Sequence, residues 1–223
     1  VVNLIWRHLA TMDGALPWVW QAVKPLYVSD ILKTEASLLC ESIILPEVNA
    51  FPEAVLGALN ISNQDRQIIQ KILDSYNKGN AFNLLALSAL TALPADRKKK
   101  VTANQNFAED IKIPELVSLD SMSEQTKSLV LLLSEVGAAE DNNIIPSLYR
   151  HLAYWPSFLG LAWNTLVSLK ADGQLKSMTN STYNQAIDQA ANIADSVVWG
   201  AEPSTAAQAM IAAQSAPKVP AVP

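Results

Sequence analysis

The hexad Ile5-Trp6-Arg7-His8-Leu9-Ala10 returns as Leu148-Tyr149-Arg150-His151-Leu152-Ala153, 143 positions on from Arg7 to Arg150. The register persists beyond it. Leu16 meets Leu159, Trp20 meets Trp163, Leu26 meets Leu169, and Leu32-Lys33 meets Leu175-Lys176. Val1–Lys33 therefore aligns with Ile144–Lys176 without a gap. Two copies this far apart do not make a solenoid, whose periods are about 20–50 residues. They predict a duplicated helical unit: two half-domains packed about a pseudo-twofold axis, each burying its face against the other as in an isologous interface.

The patterning between the copies is helical throughout. Leu4, Ile5, His8, Leu9 and Met12 recur at three- and four-residue spacing, which predicts a short helix over Val1–Met12. Asp13-Gly14 should break it before a second helix at Ala15–Tyr27, with Pro17 in its first turn and Pro25 near its end. Ser29–Leu45 reads as a third helix closed by Pro46, with Cys40 as a small core residue. A loop with one turn of helix after Pro52 follows. Ser62 with Asp65 and Ser121 with Glu124 have the spacing of capping boxes. Ile68, Ile69, Ile72, Leu73 and Tyr76 form an amphipathic stripe, and Ala81–Leu93 is apolar on most faces. Asn77-Lys78-Gly79-Asn80 should interrupt them. Met122, Thr126, Leu129, Val130, Leu133 and Val136 share one face of a later helix, and Thr182–Trp199 is the last. Period-two alternation and hairpin turn chemistry are nearly absent, so the fold class is all-α, a pseudo-twofold dimer of related helical repeats within one chain. The divisions are 1–93 for the first repeat, 94–114 for a polar linker, 115–200 for the second repeat and 201–223 for an Ala/Pro-rich tail.

Composition excludes several functions. Half of the residues are hydrophobic and only 17% are charged, so much of the helical surface must be buried. A net charge of −5 gives no electrostatic reason to bind nucleic acid or an anionic membrane. The basic run Arg97-Lys98-Lys99-Lys100 lacks aromatic interleaving and reads as solvated linker. One cysteine allows no intrachain disulfide and disfavours dithiol chemistry, which points to a reducing, cytoplasmic setting. No apolar stretch approaches the ~20 residues of a membrane span. No phosphate-cradling glycine loop, nucleophile elbow or metal-ligand spacing is present, so no cofactor or metal is expected.

The polar candidates sit in and beside the repeat. His8 and His151 occupy equivalent positions, each preceded by an arginine, Arg7 and Arg150. They can be buried structural groups bonding across the seam of the halves, or they can line a pocket there that neutralises a carboxylate. Trp20, Trp163, Trp6 and Tyr149 read as core aromatics, although such groups also line small-anion pockets. Asn77–Asn80 can be a plain turn, or Asn80 can aim its amide into a central cavity.

Three segments resemble the group I (DehI-type) 2-haloacid dehalogenase family: Leu9-Ala10-Thr11 leading to Leu16-Pro17 and Trp20; Tyr76-Asn77-Lys78-Gly79-Asn80 before a Leu-rich helix; and Leu116–Asp120 leading to Pro146-Ser147 and Leu152-Ala153-Tyr154-Trp155-Pro156. The resemblance implies an all-α protein of two repeats. It also implies hydrolytic removal of halide from a 2-haloalkanoic acid, with an Asp as general base on the attacking water. Matched residue by residue, the amide that helps hold that water falls on Asn80, and the serine before the base falls on Ser147. The base itself falls on Leu148, which cannot take a proton. The aromatic pocket positions near the chain start fall on Val1 and Leu4, and Asp141, seven residues before Leu148, is poorly placed to substitute.

The sequence therefore predicts a dehalogenase-like protein with a small-carboxylate pocket at the repeat seam. Asn80, Ser147, Arg150, His151 and His8 are its expected polar lining, and hydrolytic dehalogenation is not expected. The alternative is a non-catalytic helical scaffold or assembly subunit on the same fold, with a homo-oligomer or assembly partner.

Overall fold

A computed structural model of the chain describes residues 3–92, 112–137 and 145–196. Among them the ordered elements are all helical. The first three helices are α1 (Leu4–Leu9), α2 (Ala15–Tyr27) and α3 (Asp30–Ser42). α1 is shorter than its periodicity predicts. The chain leaves it through turns that end at Gly14, whose φ of 74° is left-handed and suits glycine. Pro17 lies in the first turn of α2, while the helix continues past Pro25 to Tyr27.

α3 stops at Ser42, short of the expected Leu45, and Ile44 and Leu45 are strongly exposed in the irregular segment that follows. Cys40 is also exposed, not core. The buried face of α3 carries Leu32, Ala36 and Leu39, and Cys40 lies one ~100° step beyond it. After α4 (Glu53–Ala58) comes α5 (Asn63–Thr91), 29 residues long. Its start is capped as the sequence predicts: the Ser62 amide donates to Asp65 Oδ2 at 2.8 Å and the Asp65 amide donates to Ser62 Oγ at 3.1 Å.

α5 runs without a break through Asn77-Lys78-Gly79-Asn80, where an interruption was expected. A mid-helix glycine costs about 1 kcal/mol relative to alanine. The apolar runs on either side outweigh that cost: Ile69 and Ile72 are buried before it, and Ala81, Leu85, Ala86, Ala89 and Leu90 after it.

Beyond a 3-10 turn at Leu119–Ser121, α6 (Glu124–Gly137) is capped by Ser123, whose hydroxyl accepts from the Thr126 amide at 3.2 Å. The expected pair Ser121 and Glu124 does not cap it, because Ser121 belongs to the preceding turn and bonds the Ser118 carbonyl. α7 (Ser147–His151), a 3-10 turn at Leu152–Tyr154, α8 (Pro156–Ala171) and α9 (Gln174–Ser196) complete the described chain. α9 begins eight residues before the expected Thr182, and Trp199 lies outside the described residues. Shifted back by 143, the starts of α7, α8 and α9 fall at 4, 13 and 31, against 4, 15 and 30 for α1, α2 and α3.

The described residues form two compact units that interleave along the chain. The first comprises 3–4, 40–80, 112–137 and 145–183; the second comprises 5–39, 81–92 and 184–196. The core of the first is built on Ile69, Ile72, Val130, Leu133, Leu152 and Leu159. The core of the second is built on Val23, Leu26, Leu32, Leu85, Leu90 and Ile193. In the second unit Trp6, Trp20 and Tyr27 pack with ring centroids 5.5–6.1 Å apart. Trp6 Nε1 and the Tyr27 hydroxyl both donate to Asn83 Oδ1, at 3.0 and 2.7 Å. Trp20 is not a core residue, being 40% exposed at the edge of this cluster. No helix among the described residues is long and apolar enough to cross a membrane.

Candidate functional site

The first unit holds a cavity of about 420 Å³, within the range of small-ligand pockets. Three segments line it: Ser75, Tyr76, Gly79 and Asn80 from α5; Pro146, Ser147, Leu148 and Tyr149 at the start of α7; and Ile113, together with Asn3. Each segment is held by bonds that follow from its sequence. The Trp155 indole donates to Asp65 Oδ1 at 2.8 Å, which ties the capped start of α5 to the turn between α7 and α8. The Ser62 hydroxyl, and after it the Trp155 indole, hold the Asp65 carboxyl below the usual carboxylate range. Two further bonds pin the segment that carries Ile113: Arg150 Nε donates to the Val117 carbonyl and the Tyr154 hydroxyl donates to the Glu115 carbonyl, both at 3.0 Å.

The unbroken course of α5 is what brings Tyr76 and Asn80 to one face, four residues and about one turn apart. Asn80 is exposed at the cavity and accepts from the Asn3 amide at 2.9 Å. With Oδ1 so engaged, Asn80 offers its Nδ2 as a donor. Ser147 is buried at the first position of α7. Burial pushes the Tyr149 phenol up, so it stays protonated and can donate at neutral pH.

His151 lies behind this lining. Its ring is fully buried, and Nδ1 is 2.8 Å from the Tyr76 hydroxyl. Nε2 is enclosed without a hydrogen-bond partner. Burial lowers the His151 pKa below 6.5, and the positive charges of the chain's amino group and of Arg150 lower it further. The Pro114 carbonyl acts in the other direction. The ring is therefore neutral at pH 7.

Of the five residues expected from the sequence, Asn80 and Ser147 line the cavity and His151 backs it through Tyr76. Arg150 is not in the lining; its guanidinium Nε is spent on the Val117 carbonyl. His8 is exposed on α1, belongs to the second unit and is absent from the lining. The equivalence of the two histidines in the repeat thus does not extend to their environments. Leu148, matched to the family's general base, also lines the cavity. Of the matched aromatic positions, Val1 lies outside the described residues, as does Asp141, and Leu4 is described only as the first residue of α1.

Sequence reasoning did not single out Tyr76 as a site residue, placing it in the apolar stripe and at the head of the segment Tyr76–Asn80 that carries the resemblance. Its spacing of four from Asn80 was the available signal. None of the described lining residues carries a charge. No cluster of three or more His, Cys, Asp or Glu among the described residues could hold a metal ion. A second hollow, of about 380 Å³, is lined by Asp30, Lys33, Thr34, Ser37 and Leu38, all from one face of α3, and is an open surface groove. Comparison with protein-family models and with curated proteins finds no match for this chain.

Proposed function

We propose that this chain is a dehalogenase-like protein, built on two related helical repeats, that binds a small 2-substituted carboxylate in the cavity without hydrolysing it. One observation carries the reading. Asn80, Ser147 and Leu148 are the positions that the resemblance matches to the water-holding amide, the serine and the general base, and all three line one cavity although they come from two separate helices. A chance match of sequence segments gives no reason for that convergence. The coincidence of helix starts after the 143-residue shift supports the repeat.

The lining has the donors for a carboxylate. The Asn80 amide and the hydroxyls of Ser75, Ser147 and Tyr149 can each donate, while Leu148, Ile113 and Pro146 give an apolar wall for a short alkyl or halogen substituent. Activity is a separate matter. Abstracting a proton from water needs a base within hydrogen-bond reach, and Leu148 supplies none. His151 is fully enclosed and is not in the lining, so it cannot meet the water directly.

Calorimetric titration with 2-chloropropionate and with lactate tests the reading. Binding should be saturable and should weaken at least about tenfold in Ser147→Ala and Asn80→Ala, the loss of one or two hydrogen bonds to a charged group. Binding unaffected by both substitutions would refute the site.

A further inference from the structure

Gly79 stands on α5 where the fold has no use for a glycine. Its backbone is helical and not left-handed; the positive-φ glycines among the described residues are Gly14 and Gly173. Close packing does not require it either, since a Cβ built at 79 meets no neighbouring atom within 4 Å. Inside a helix, glycine is less favourable than alanine because it gives up more backbone freedom on folding. Local structure and packing therefore both favour a side chain at this position.

The space left by the missing side chain is cavity. Gly79 is in the lining, with Tyr76 three and Ser75 four residues before it on the same face of α5. A Cα–Cβ bond on a helix tilts toward the helix start, so a side chain at 79 would extend over Ser75 and Tyr76, into the space that those two residues border. Gly57 and Gly160 also lie inside helices with open space at Cβ, but neither is among the described lining residues. Size points the same way. The three carbons and three oxygens of lactate fill less than half of the cavity's roughly 420 Å³, even when each atom is given the ~30 Å³ that a whole water molecule takes up in the liquid.

Resting on the carboxylate-binding reading above, we infer that Gly79 makes room for the substituent on C2 of the ligand, and that the site selects carboxylates whose C2 substituent is an alkyl group larger than methyl. Ile113, Pro146 and Leu148 in the same lining give apolar surface for such a group. Each methylene buried there strengthens binding about fourfold.

The test is calorimetric titration of the unaltered protein with lactate and with 2-hydroxy-4-methylpentanoate, which carries isobutyl in place of methyl. The larger acid should bind at least about tenfold more tightly, the gain from two or more buried methylenes. Gly79→Ala should lower that preference about fourfold, and Gly79→Leu should abolish or reverse it. Stability should move the other way: Gly79→Ala should raise the melting temperature by about 2–4 °C. Gly160→Ala is the matched control, with a similar rise and an unchanged preference. Equal binding of the two acids by the unaltered protein, or a preference that survives Gly79→Leu, overturns the role of Gly79 and leaves the carboxylate site standing. A Gly79→Ala protein less stable than the unaltered one shows that the fold needs the glycine, and also overturns that role. Binding of neither acid by the unaltered protein overturns the carboxylate site as well. Alanine at 79 meets no neighbouring atom, so Gly79→Ala carries the test even if the leucine variant fails to fold.

Discussion

Replacing Leu148 by Asp puts a carboxylate where the resemblance requires one, and the structure sets both the cost and the gain. Leu148 is half-buried and packs against the core of the first unit. Complete burial of a leucine stabilises by about 1.5–3 kcal/mol, so losing a half-buried one costs about 1 kcal/mol. A carboxylate that keeps contact with the open cavity adds about 1–2 kcal/mol of desolvation. The total, about 2–3 kcal/mol, lies below the 5–15 kcal/mol typical of a domain, and the variant should fold. On the gain side, a positioned general base contributes about 10²–10⁴-fold, which is about 3–5 kcal/mol of barrier. The neighbouring Asn80 and Ser147 are already in the lining to hold the water. The assay is halide release from 2-chloropropionate by purified protein. The unmodified chain should release none above the uncatalysed rate, and Leu148→Asp should release it at least about 100-fold faster than the unmodified chain. Robust turnover by the unmodified chain would refute the reasoning. If His151→Ala abolished that turnover, His151 would be the base after all.

The remaining predictions concern stability. Gly160→Ala, inside α8 with open space at the new methyl, should stabilise by about 0.5–1 kcal/mol, whereas Gly14→Ala, at a φ of +74°, should destabilise by about 1–2 kcal/mol; urea unfolding reads both signs. In α6, Leu133→Ala should cost about 2–5 kcal/mol because Leu133 is fully buried, while the neighbouring Leu131, 41% exposed, should cost under about 1 kcal/mol; equal urea midpoints for the two would contradict the assigned face. His151 binds its proton less readily when folded than when unfolded, so the unfolded chain holds more protons below 6.5. Stability should therefore fall as the pH drops below 6.5 and level off once the buried ring is charged, and His151→Gln should remove that part of the slope in urea midpoints measured across the range.

Local signals in this chain were legible where neighbours in sequence decide the outcome. The all-helical class, the buried stripe of Ile69 and Ile72, the reciprocal Ser62–Asp65 cap and the break at Gly14 each depend on residues within about one turn of one another. The clustering of Asn80, Ser147 and Leu148 was foreseen only through the resemblance, because no local rule brings residues 67 or 68 positions apart to one wall. Tertiary packing decided the rest. It carried α5 straight through Asn77–Asn80 against the local preference for a turn, since the buried residues on both sides stabilise the helix by more than the glycine costs. It gave the two equivalent histidines opposite fates, His8 exposed and His151 fully enclosed, because burial depends on what packs over a helix face and not on the face itself. It also turned Arg150 to a backbone carbonyl and set Tyr76 against His151, which left the described lining of the cavity without a charged side chain. A side chain's charge is written in the sequence, but which groups stand close enough to use it is fixed only when distant segments meet.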